Sequence, residues 1–193
     1  SYSRIIAGNG NDSILNRNGM NVSIDAGNGN DKVLLYNAHE STVYGGEGAD
    51  SISINSSNKT YLSGGNGNDT LKSYSSNNVS IIGDSGNDSI FAYYGSNLFV
   101  SAGNDNDSIS LINGSNSTVY GGNGKDYIDS GWSNNSKIFG GYGDDTINNI
   151  SQSNVSVYGE SGNDRIVDGW TSRSYINPGT GDDFVSLASN SAN

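Results

Sequence analysis

The sequence predicts an all-β fold, a parallel β-solenoid of ten 19-residue coils with two short strands per coil. Three observations support this prediction: an aspartate recurs every 19 residues, apolar residues recur at two fixed positions in each interval, and the chain is too polar for an ordinary globular core. The recurring aspartates are Asp12, Asp31, Asp50, Asp69, Asp88, Asp107, Asp126, Asp145, Asp164 and Asp183. A fixed period of this length is typical of stacked repeats.

Two columns of apolar β-forming residues mark the two strands of each coil. The first column lies two residues after each aspartate: Ile14, Val33, Ile52, Leu71, Ile90, Ile109, Ile128, Ile147, Ile166 and Val185. The second lies ten residues farther on: Ile24, Val43, Leu62, Ile81, Val100, Val119, Ile138, Val157 and Ile176. Flanking residues alternate between polar and apolar, which is the period of a half-buried strand. We expect the two columns to face each other.

Composition limits the alternatives to this fold. Only 32% of the residues are hydrophobic and the formal net charge is −11, a combination that usually indicates disorder. A disordered chain has no reason to hold a strict period, whereas a thin solenoid needs few apolar residues because each coil buries only a narrow strip. The chain has no cysteine, which excludes disulfides and thiolate metal sites.

Residues 1–193 are expected to form a single β-solenoid repeat domain. No stretch approaches the ~20 apolar residues of a membrane helix, and no signal peptide opens the sequence. The repeat register starts in mid-coil, with Ile5 already in the column of Ile24, and it stops in mid-coil at Asn193. We therefore expect the sequence to be a piece of a longer repeat array.

The two turns of each coil differ in character. One is rich in glycine, and the other is polar and ends in asparagine in five consecutive coils: Asn78, Asn97, Asn116, Asn135 and Asn154. Asparagine tolerates the left-handed backbone of tight turns. Stacked in register, these residues would form an asparagine ladder.

The glycine-rich turn has the composition of a calcium site. Glycine permits positive φ and close backbone approach, so that carbonyl oxygens can converge beside one aspartate carboxylate per turn. The spacer glycines of this pattern are Gly8, Gly10, Gly27, Gly29, Gly46, Gly48, Gly65, Gly67, Gly122, Gly124, Gly141, Gly143, Gly179 and Gly181. Calcium takes six to eight oxygen ligands. We therefore expect each ion to lie between successive turns and to take oxygens from both.

Two alternatives to calcium are weaker. Magnesium prefers a rigid octahedron with retained water. The aspartates could instead form Asx turns without any metal. Carboxylates stacked ~5 Å apart would then repel one another strongly, which argues against a metal-free row.

Four segments match the pattern GGxGxDxUx closely, where U is a large aliphatic residue: Gly45–Ser53, Gly64–Lys72, Gly121–Asp129 and Gly140–Asn148. In this the chain resembles the RTX (hemolysin-type) calcium-binding repeat family. The resemblance implies a right-handed parallel β-roll, export from bacteria as an unfolded chain, folding on meeting external calcium, and an extracellular or cell-surface location. The usual family coil has 18 residues with calcium on both edges, whereas this coil has 19 and one glycine-rich edge. This resembles the one-sided repeats of RTX adhesins, so we expect one row of nine or ten Ca²⁺ ions.

Some repeats depart from the pattern. Acidic residues replace a spacer glycine at Asp84, Asp105 and Glu160, where each could add a ligand oxygen or distort its turn. Other residues replace the leading glycine at Ala26, Ala102 and Pro178, and we expect weaker sites beside them.

Aromatic residues also recur at the repeat period. Tyr44, Tyr120, Phe139 and Tyr158 share one outward column, while Tyr94, Trp132 and Trp170 share another. We expect Tyr120, Phe139 and Tyr158 to stack as a ladder that stiffens the exposed sheet. The alternative is a platform for sugar rings, since exposed apolar patches often mark binding sites.

These features favour a calcium-binding structural or adhesive module of a secreted or surface bacterial protein. Glycan binding is the alternative and ice binding a minor one, because the column that carries threonine in an ice-binding relative has one threonine here, Thr180. We expect no enzyme, since no coil has lost its period to build a catalytic site, and the single histidine, His39, lies in a polar turn. We expect no nucleic-acid partner and no insertion into a membrane. A cell surface is a candidate partner, and the solenoid ends are candidate sites of end-to-end self-association.

Overall fold

The protein is a parallel β-solenoid, as the sequence predicts. The computed structural model describes residues 2–150, 153–169 and 172–188. Within these ranges all regular elements are β-strands, twenty in number, two from each repeat. Among the same residues, no helix has the length and apolar character needed to cross a bilayer.

The strands form two sheets of ten parallel strands each. The first sheet contains β1 (Ser3–Asn9), β3 (Val22–Asn28), β5 (Thr42–Glu47), β7 (Tyr61–Asn66), β9 (Ser80–Ser85), β11 (Phe99–Asn104), β13 (Thr118–Asn123), β15 (Lys137–Tyr142), β17 (Ser156–Ser161) and β19 (Tyr175–Asn177). The second contains β2 (Ser13–Arg17), β4 (Lys32–Tyr36), β6 (Ser51–Asn55), β8 (Thr70–Tyr74), β10 (Ser89–Tyr93), β12 (Ser108–Ile112), β14 (Tyr127–Asp129), β16 (Thr146–Ile150), β18 (Arg165–Gly169) and β20 (Phe184–Ala188).

The pairing register equals the sequence period. In the first sheet Ile5 pairs with Ile24, and in the second Ile90 pairs with Ile109. Every column of the sequence repeat therefore becomes a row of stacked side chains along the solenoid.

The core lies between the two sheets, where the two predicted apolar columns face each other. Ile24 and Ile52, one from each column, are completely buried. A third interior column, which includes Leu35, was not predicted. Its pattern is broken by the buried Asn149 and Asp168, where Asn149 Nδ2 donates a hydrogen bond to Asp168 Oδ1.

The polar turn contains two left-handed residues three positions apart. The five predicted asparagines lie at the second position, with φ between 52° and 56°. The first position, which includes Asn18, Tyr94 and Trp132, was not predicted. Two links of the predicted asparagine ladder are present: Asn97 Nδ2 donates to Asn78 Oδ1 at 3.2 Å, and the same bond joins Asn154 to Asn135 at 3.0 Å. We call this side of the solenoid the polar edge.

Candidate metal centre

The glycine-rich turns form the opposite side of the solenoid, which we call the glycine edge. Each turn leads from a strand of the first sheet to the next strand of the second; β7 ends at Asn66 and β8 begins at Thr70, directly after Asp69. We number the turns 1 to 10 by their aspartates, from Asp12 to Asp183. The register places these ten residues in one row, the aspartate ladder.

The predicted spacer glycines all adopt positive φ, between 103° and 136°. They are Gly8, Gly10, Gly27, Gly29, Gly46, Gly48, Gly65, Gly67, Gly122, Gly124, Gly141, Gly143, Gly179 and Gly181. Only glycine enters this region without strain. A Cβ added at Gly46 would also lie 2.0 Å from the carbonyl oxygen of Gly27 in the preceding turn. The close stacking of turns therefore requires glycine for a second reason.

Three further spacer glycines were not predicted as site residues. Gly86, Gly103 and Gly162 have φ of 114°, 122° and 139°. Their repeats carry an acidic residue at the other spacer position, so the repeats did not show the full glycine pattern. The 19-residue period alone would have identified them.

The acidic residues at spacer positions adopt left-handed backbone as well. Asp84, Asp105 and Glu160 have φ of 79°, 77° and 78°. Asp84 Oδ2 accepts a hydrogen bond from Ser63 Oγ at 2.6 Å, and Asp105 Oδ2 accepts one from the backbone N–H of Gly86 at 3.2 Å. These two carboxylates thus have hydrogen-bond partners of their own outside the ladder.

One carboxylate oxygen of each ladder residue binds the preceding turn. Oδ1 of Asp50 accepts a hydrogen bond from the backbone N–H of Asp31 at 2.7 Å. The equivalent bond recurs along the whole ladder with N···O distances of 2.7 to 2.9 Å. From Asp31 to Asp164 the ladder residues are at most 3% exposed, so these carboxylates are almost entirely removed from water.

The other carboxylate oxygen, Oδ2, is buried and has no hydrogen-bond partner among the described residues. This is true of nine ladder residues: Asp12, Asp31, Asp50, Asp69, Asp88, Asp107, Asp126, Asp145 and Asp164. An isolated carboxylate is costly to bury unless it is paired or coordinates a metal. Because the same unpaired oxygen recurs in nine turns, we expect one kind of partner to satisfy all nine.

A backbone carbonyl of the next turn lies beside these oxygens. A Cβ added at Gly45 would lie 2.3 Å from Asp50 Oδ2 and 2.4 Å from the carbonyl oxygen of Gly64. At Gly83 the corresponding distances to Asp88 Oδ2 and the Ala102 carbonyl oxygen are both 2.3 Å. We call this space the oxygen cradle. Both of its oxygens are acceptors, so only a donor or a cation can satisfy them together.

Burial raises the pKa of six ladder carboxyls, in turns 3 to 8, well above the usual value of 3.8. Desolvation is the largest cause, and the hydrogen bond from the preceding turn opposes it. The pKa is about 6 at Asp50, Asp88 and Asp126. It is about 7 at the carboxyls of Asp69, Asp107 and Asp145, where the charges of the neighbouring ladder residues raise the pKa further.

The donor set fits a calcium ion. Within the described parts of the chain, no group of three or more His, Cys, Asp or Glu side chains could hold a metal. Side chains alone therefore cannot complete a shell of six to eight oxygens, and backbone carbonyls of two turns must supply the remainder. Carboxylate and carbonyl oxygens are the ligands that calcium prefers.

The aromatic ladder is confirmed on the outer face of the first sheet. The ring centroids of Tyr120 and Phe139 lie 4.7 Å apart with an interplanar angle of 9°, and those of Phe139 and Tyr158 lie 4.8 Å apart at 8°. Tilted rings of Phe99 and Tyr175 contact the two ends at 5.8 and 5.7 Å. The flat faces of the Tyr120, Phe139 and Tyr158 rings therefore point at one another, and mainly the ring edges face solvent.

The other predicted aromatic column lies at the polar edge. Tyr94 and Trp132 are 65% and 59% exposed. Trp170, predicted to share this column, lies outside the described residues.

Asp144 and His39 both have structural contacts. Asp144 forms an exposed ion pair with Lys125, with Oδ2 2.7 Å from Nζ, while its neighbour Asp145 belongs to the ladder. His39, which the sequence places in a polar turn, accepts a hydrogen bond through Nδ1 from the backbone N–H of Asn58 at 3.0 Å. It links two polar turns.

The repeats also match a known family. The family model of the RTX calcium-binding nonapeptide repeat (4 copies) matches residues 41–53, 60–80, 80–109, 113–136, 133–149 and 151–169, which is more than half of the chain. These segments contain the ladder aspartates of turns 3 to 9. No curated protein matches the chain.

Proposed function

The chain belongs to the RTX calcium-binding nonapeptide repeat family, and we propose that calcium ions lie between successive turns of its glycine edge and drive its folding. The chain is thus a calcium-binding repeat module. The observation that supports the position of the ions is the row of nine buried Oδ2 atoms without a partner.

The number of these oxygens suits ions between turns. Ten turns have nine intervals, and Oδ2 is without a partner in turns 1 to 9. In each glycine-led cradle, Oδ2 of one turn borders a carbonyl oxygen of the next turn. An ion there would contact both turns and join them. The ligands we propose are the ladder carboxylates together with backbone carbonyls of the glycine-rich turns.

Calcium supplies the positive charge that the ladder lacks. Without it, ten carboxylates stacked at ~5 Å repel one another in a partly desolvated row. A site occupied at 100 times its dissociation constant stabilises the folded state by about 2.7 kcal/mol. Several such sites together equal the whole stability of a typical domain, about 5–15 kcal/mol. Calcium binding would therefore decide whether the chain folds.

This dependence suits a module that works outside the cell. Extracellular calcium modules bind with dissociation constants of about 10⁻⁴ to 10⁻³ M, so a chain with such sites stays unfolded until it meets external calcium. We propose that it acts as a spacer or adhesive module of a secreted or surface protein. Every described coil keeps the same order of strands and turns, which supports a structural role over an enzymatic one.

The test is a calcium titration of the whole chain. Far-UV circular dichroism is recorded in chelator at neutral pH and then with increasing calcium, with magnesium as the matched control. We expect a cooperative change from coil to β-structure with calcium and little change with magnesium. If β-structure persists in chelator and calcium does not raise the melting temperature, the ladder is a metal-free structural device and the proposal is wrong.

A second candidate function is glycan binding at the polar edge, supported by Tyr94 and Trp132. Their side chains are largely exposed, and both residues adopt left-handed backbone, with φ of 57° and 53°. Large residues rarely occupy this region, so their presence at a corner where asparagine recurs indicates a use for the rings. They lie two coils apart, roughly 10 Å along the solenoid.

These features fit a neutral polysaccharide. The apolar face of a pyranose ring packs on an exposed aromatic ring, and Asn113 and Asn116 lie in the polar turn between the two aromatic residues, where their amides can bind hydroxyl groups. The net charge of −11 disfavours acidic glycans. The stacked faces of Tyr120, Phe139 and Tyr158 offer less contact to a sugar.

The test measures binding of soluble neutral glucan and mannan to the calcium-loaded chain by calorimetry. Trp132→Ala and Tyr94→Ala should each abolish binding, whereas Tyr142→Ala, which removes a 70% exposed ring at the glycine edge, should retain it. Loss of binding in Phe139→Leu alone would place the glycan on the aromatic ladder instead. Absence of binding by the unmodified chain would exclude this second function for these glycans.

A further inference from the structure

The leading residue of the glycine-rich turn is not the same in all coils. It is glycine in turns 3, 4, 5, 7, 8 and 9: Gly45, Gly64, Gly83, Gly121, Gly140 and Gly159. It is alanine in turns 1, 2 and 6: Ala7, Ala26 and Ala102. Pro178 leads turn 10, which has no following turn among the described residues. Six glycine-led turns therefore form two runs of three, with Ala102 between them.

The leading position is where a methyl group would meet the oxygen cradle. At the six glycines, an added Cβ would lie 2.2 to 2.4 Å from the ladder Oδ2 of the same turn. It would lie 2.1 to 2.9 Å from the carbonyl oxygen of the leading residue in the next turn. Real Cβ atoms essentially never come within 3.0 Å of such a neighbour. A methyl group here must displace the oxygens that border the cradle.

Two of the alanines place such a methyl group in the interior. Ala26 and Ala102 are completely buried, and Oδ2 of Asp31 and Asp107 in the same turns is buried and unpartnered, as in the glycine-led turns. The methyl and the carboxylate oxygen compete for one space. Calcium holds its oxygens at 2.3–2.6 Å, so a displaced oxygen and an apolar neighbour both weaken its coordination.

Backbone conformation does not explain the difference between glycine and alanine at this position. The leading glycines are not among the residues with positive φ, so alanine adopts the same backbone without strain. The methyl group itself is the relevant change.

We propose that alanine at the leading position divides the calcium row into two classes, with strong sites in the six glycine-led turns and weak sites in the alanine-led turns. This inference rests on the proposed function. Turns 3 to 5 and turns 7 to 9 then form two blocks of strong sites, separated by a weak site at Ala102. Calcium loads each block as a unit, and one weak ion-mediated joint lies near the middle of the solenoid.

Calcium binding by the whole chain, measured by isothermal titration calorimetry against a competing chelator, tests this division. We expect six tight ions, matching the six leading glycines, and weaker binding of the remainder by tenfold or more. Ala102→Gly should add a seventh tight ion and raise the melting temperature in calcium. Ala92→Gly is the matched control, because Ala92 is also completely buried but lies on β10, away from the turn. It should lower the melting temperature and leave six tight ions.

The reverse substitution completes the test. Gly64→Ala places a methyl group in the middle of the first block, 2.2 Å from the present position of Asp69 Oδ2. It should remove one tight ion and reduce the cooperativity of the first block, with the protein still folded in excess calcium. If all sites bind with one affinity and neither Ala102→Gly nor Gly64→Ala changes the number of tight ions, the division is wrong while the proposed function stands. If the unmodified chain binds no calcium, both are wrong.

Discussion

The two edges of the solenoid both bury polar side chains, but they satisfy them in opposite ways. At the polar edge, buried serines accept from one backbone group and donate to another. Ser57 Oγ accepts a hydrogen bond from the backbone N–H of Ala38 and donates one to the carbonyl of Asn55, both at 3.0 Å. A neutral hydroxyl can do both, so the buried serines of the described polar turns need no partner from outside the chain.

The glycine edge uses a carboxylate where the polar edge uses a hydroxyl. An ionised carboxylate only accepts, and the aspartate ladder gives Oδ1 a partner and leaves Oδ2 without one. The same stacking that completes the polar edge therefore accumulates uncompensated charge on the other. The comparison teaches that one edge is self-sufficient and the other depends on a cation.

The two edges also differ in backbone conformation, and here too the glycine edge is the more demanding one. Left-handed residues at the polar edge have φ between 49° and 60°, a region that asparagine tolerates. Spacer glycines have φ between 103° and 139°, a region open in practice to glycine alone. The polar edge can therefore accept varied side chains, whereas the glycine edge is restricted by its own turn geometry.

The largest expected difference between the edges is a response to pH in chelator. The pKa values of six ladder carboxyls are about 6 or 7 in the folded state, against 3.8 for free aspartate. The folded state thus binds these protons more tightly, and the resulting stability is full below about pH 4 and lost as the pH rises through 6 and 7. In chelator, β-structure measured by circular dichroism should increase when the pH falls from 8 to 5.

Calcium should reverse this dependence, because protons and calcium compete for the same carboxylates. In calcium the solenoid should stay folded at pH 8, and its calcium affinity should fall as the pH drops through 7 and 6. If the β-content of the protein in chelator were the same at pH 5 and pH 8, the ladder carboxyls would not be desolvated as described.

The next largest effect is expected for a substitution of one ladder residue. Its effect on stability should have opposite signs in calcium and in chelator. In Asp88→Asn the amide oxygen can still accept from the backbone N–H of Asp69, now bonded at 2.8 Å, and the amide nitrogen can donate to the Ala102 carbonyl. In saturating calcium the lost site should cost about 2.7 kcal/mol at 100 times the dissociation constant. In chelator, with trimethylamine N-oxide to populate the folded state, the same change should stabilise by about 1 kcal/mol.

The matched control for this prediction lies at the polar edge. Ser57→Ala removes two hydrogen bonds that involve no ion, so it should destabilise by about 1–3 kcal/mol in calcium and in chelator alike. Thermal melts under the two conditions measure both variants. If Asp88→Asn destabilised equally in both, the ladder would be a hydrogen-bonding device without a cation.

A smaller effect is expected at a spacer glycine. Gly122 has φ of 123°, and an added Cβ would lie 2.0 Å from the Gly103 carbonyl oxygen. The turn accepts a side chain at Asp84 only with φ near 79°, so Gly122→Ala should cost about 1–3 kcal/mol in strain. Thermal melting in calcium should show a decrease of roughly 2–4 °C per kcal/mol. Gly169→Ala is the control, since its nearest contact would be an ordinary 3.6 Å, and it should leave the melting temperature nearly unchanged.

Much of this comparison could be predicted from the sequence because both edges repeat with the strand period. The aspartate row, the left-handed glycines and the asparagines of the polar edge follow from position in the 19-residue coil. What the sequence does not contain is the position of each side-chain oxygen relative to the neighbouring turns. That position decides that Oδ1 of Asp50 reaches the preceding turn, that its Oδ2 stays unpartnered, and that a methyl at Gly45 would enter the cradle.

Two other features could not be predicted from the sequence. In one, polar residues interrupt an apolar pattern; in the other, the sequence does not specify how a ring is oriented. The interior column of Leu35 loses its apolar pattern at Asn149 and Asp168, whose polar groups find partners inside the core. The outward column of Tyr120 predicts stacking, but only the 9° angle to Phe139 shows that the flat faces are already in contact.

The smallest effect should come from the left-handed corner of the polar edge. Asn97 has φ of 55° and donates one exposed hydrogen bond to Asn78 at 3.2 Å. Asn97→Gly keeps the backbone accessible, so it should cost only about 0.5–1 kcal/mol, mainly through greater freedom of the unfolded chain. Because this edge contains no proposed ion, calcium affinity measured by calorimetry should not change. A shift in calcium affinity on substituting Asn97 would mean that the two edges are coupled through the strands, and that the polar edge is not self-sufficient.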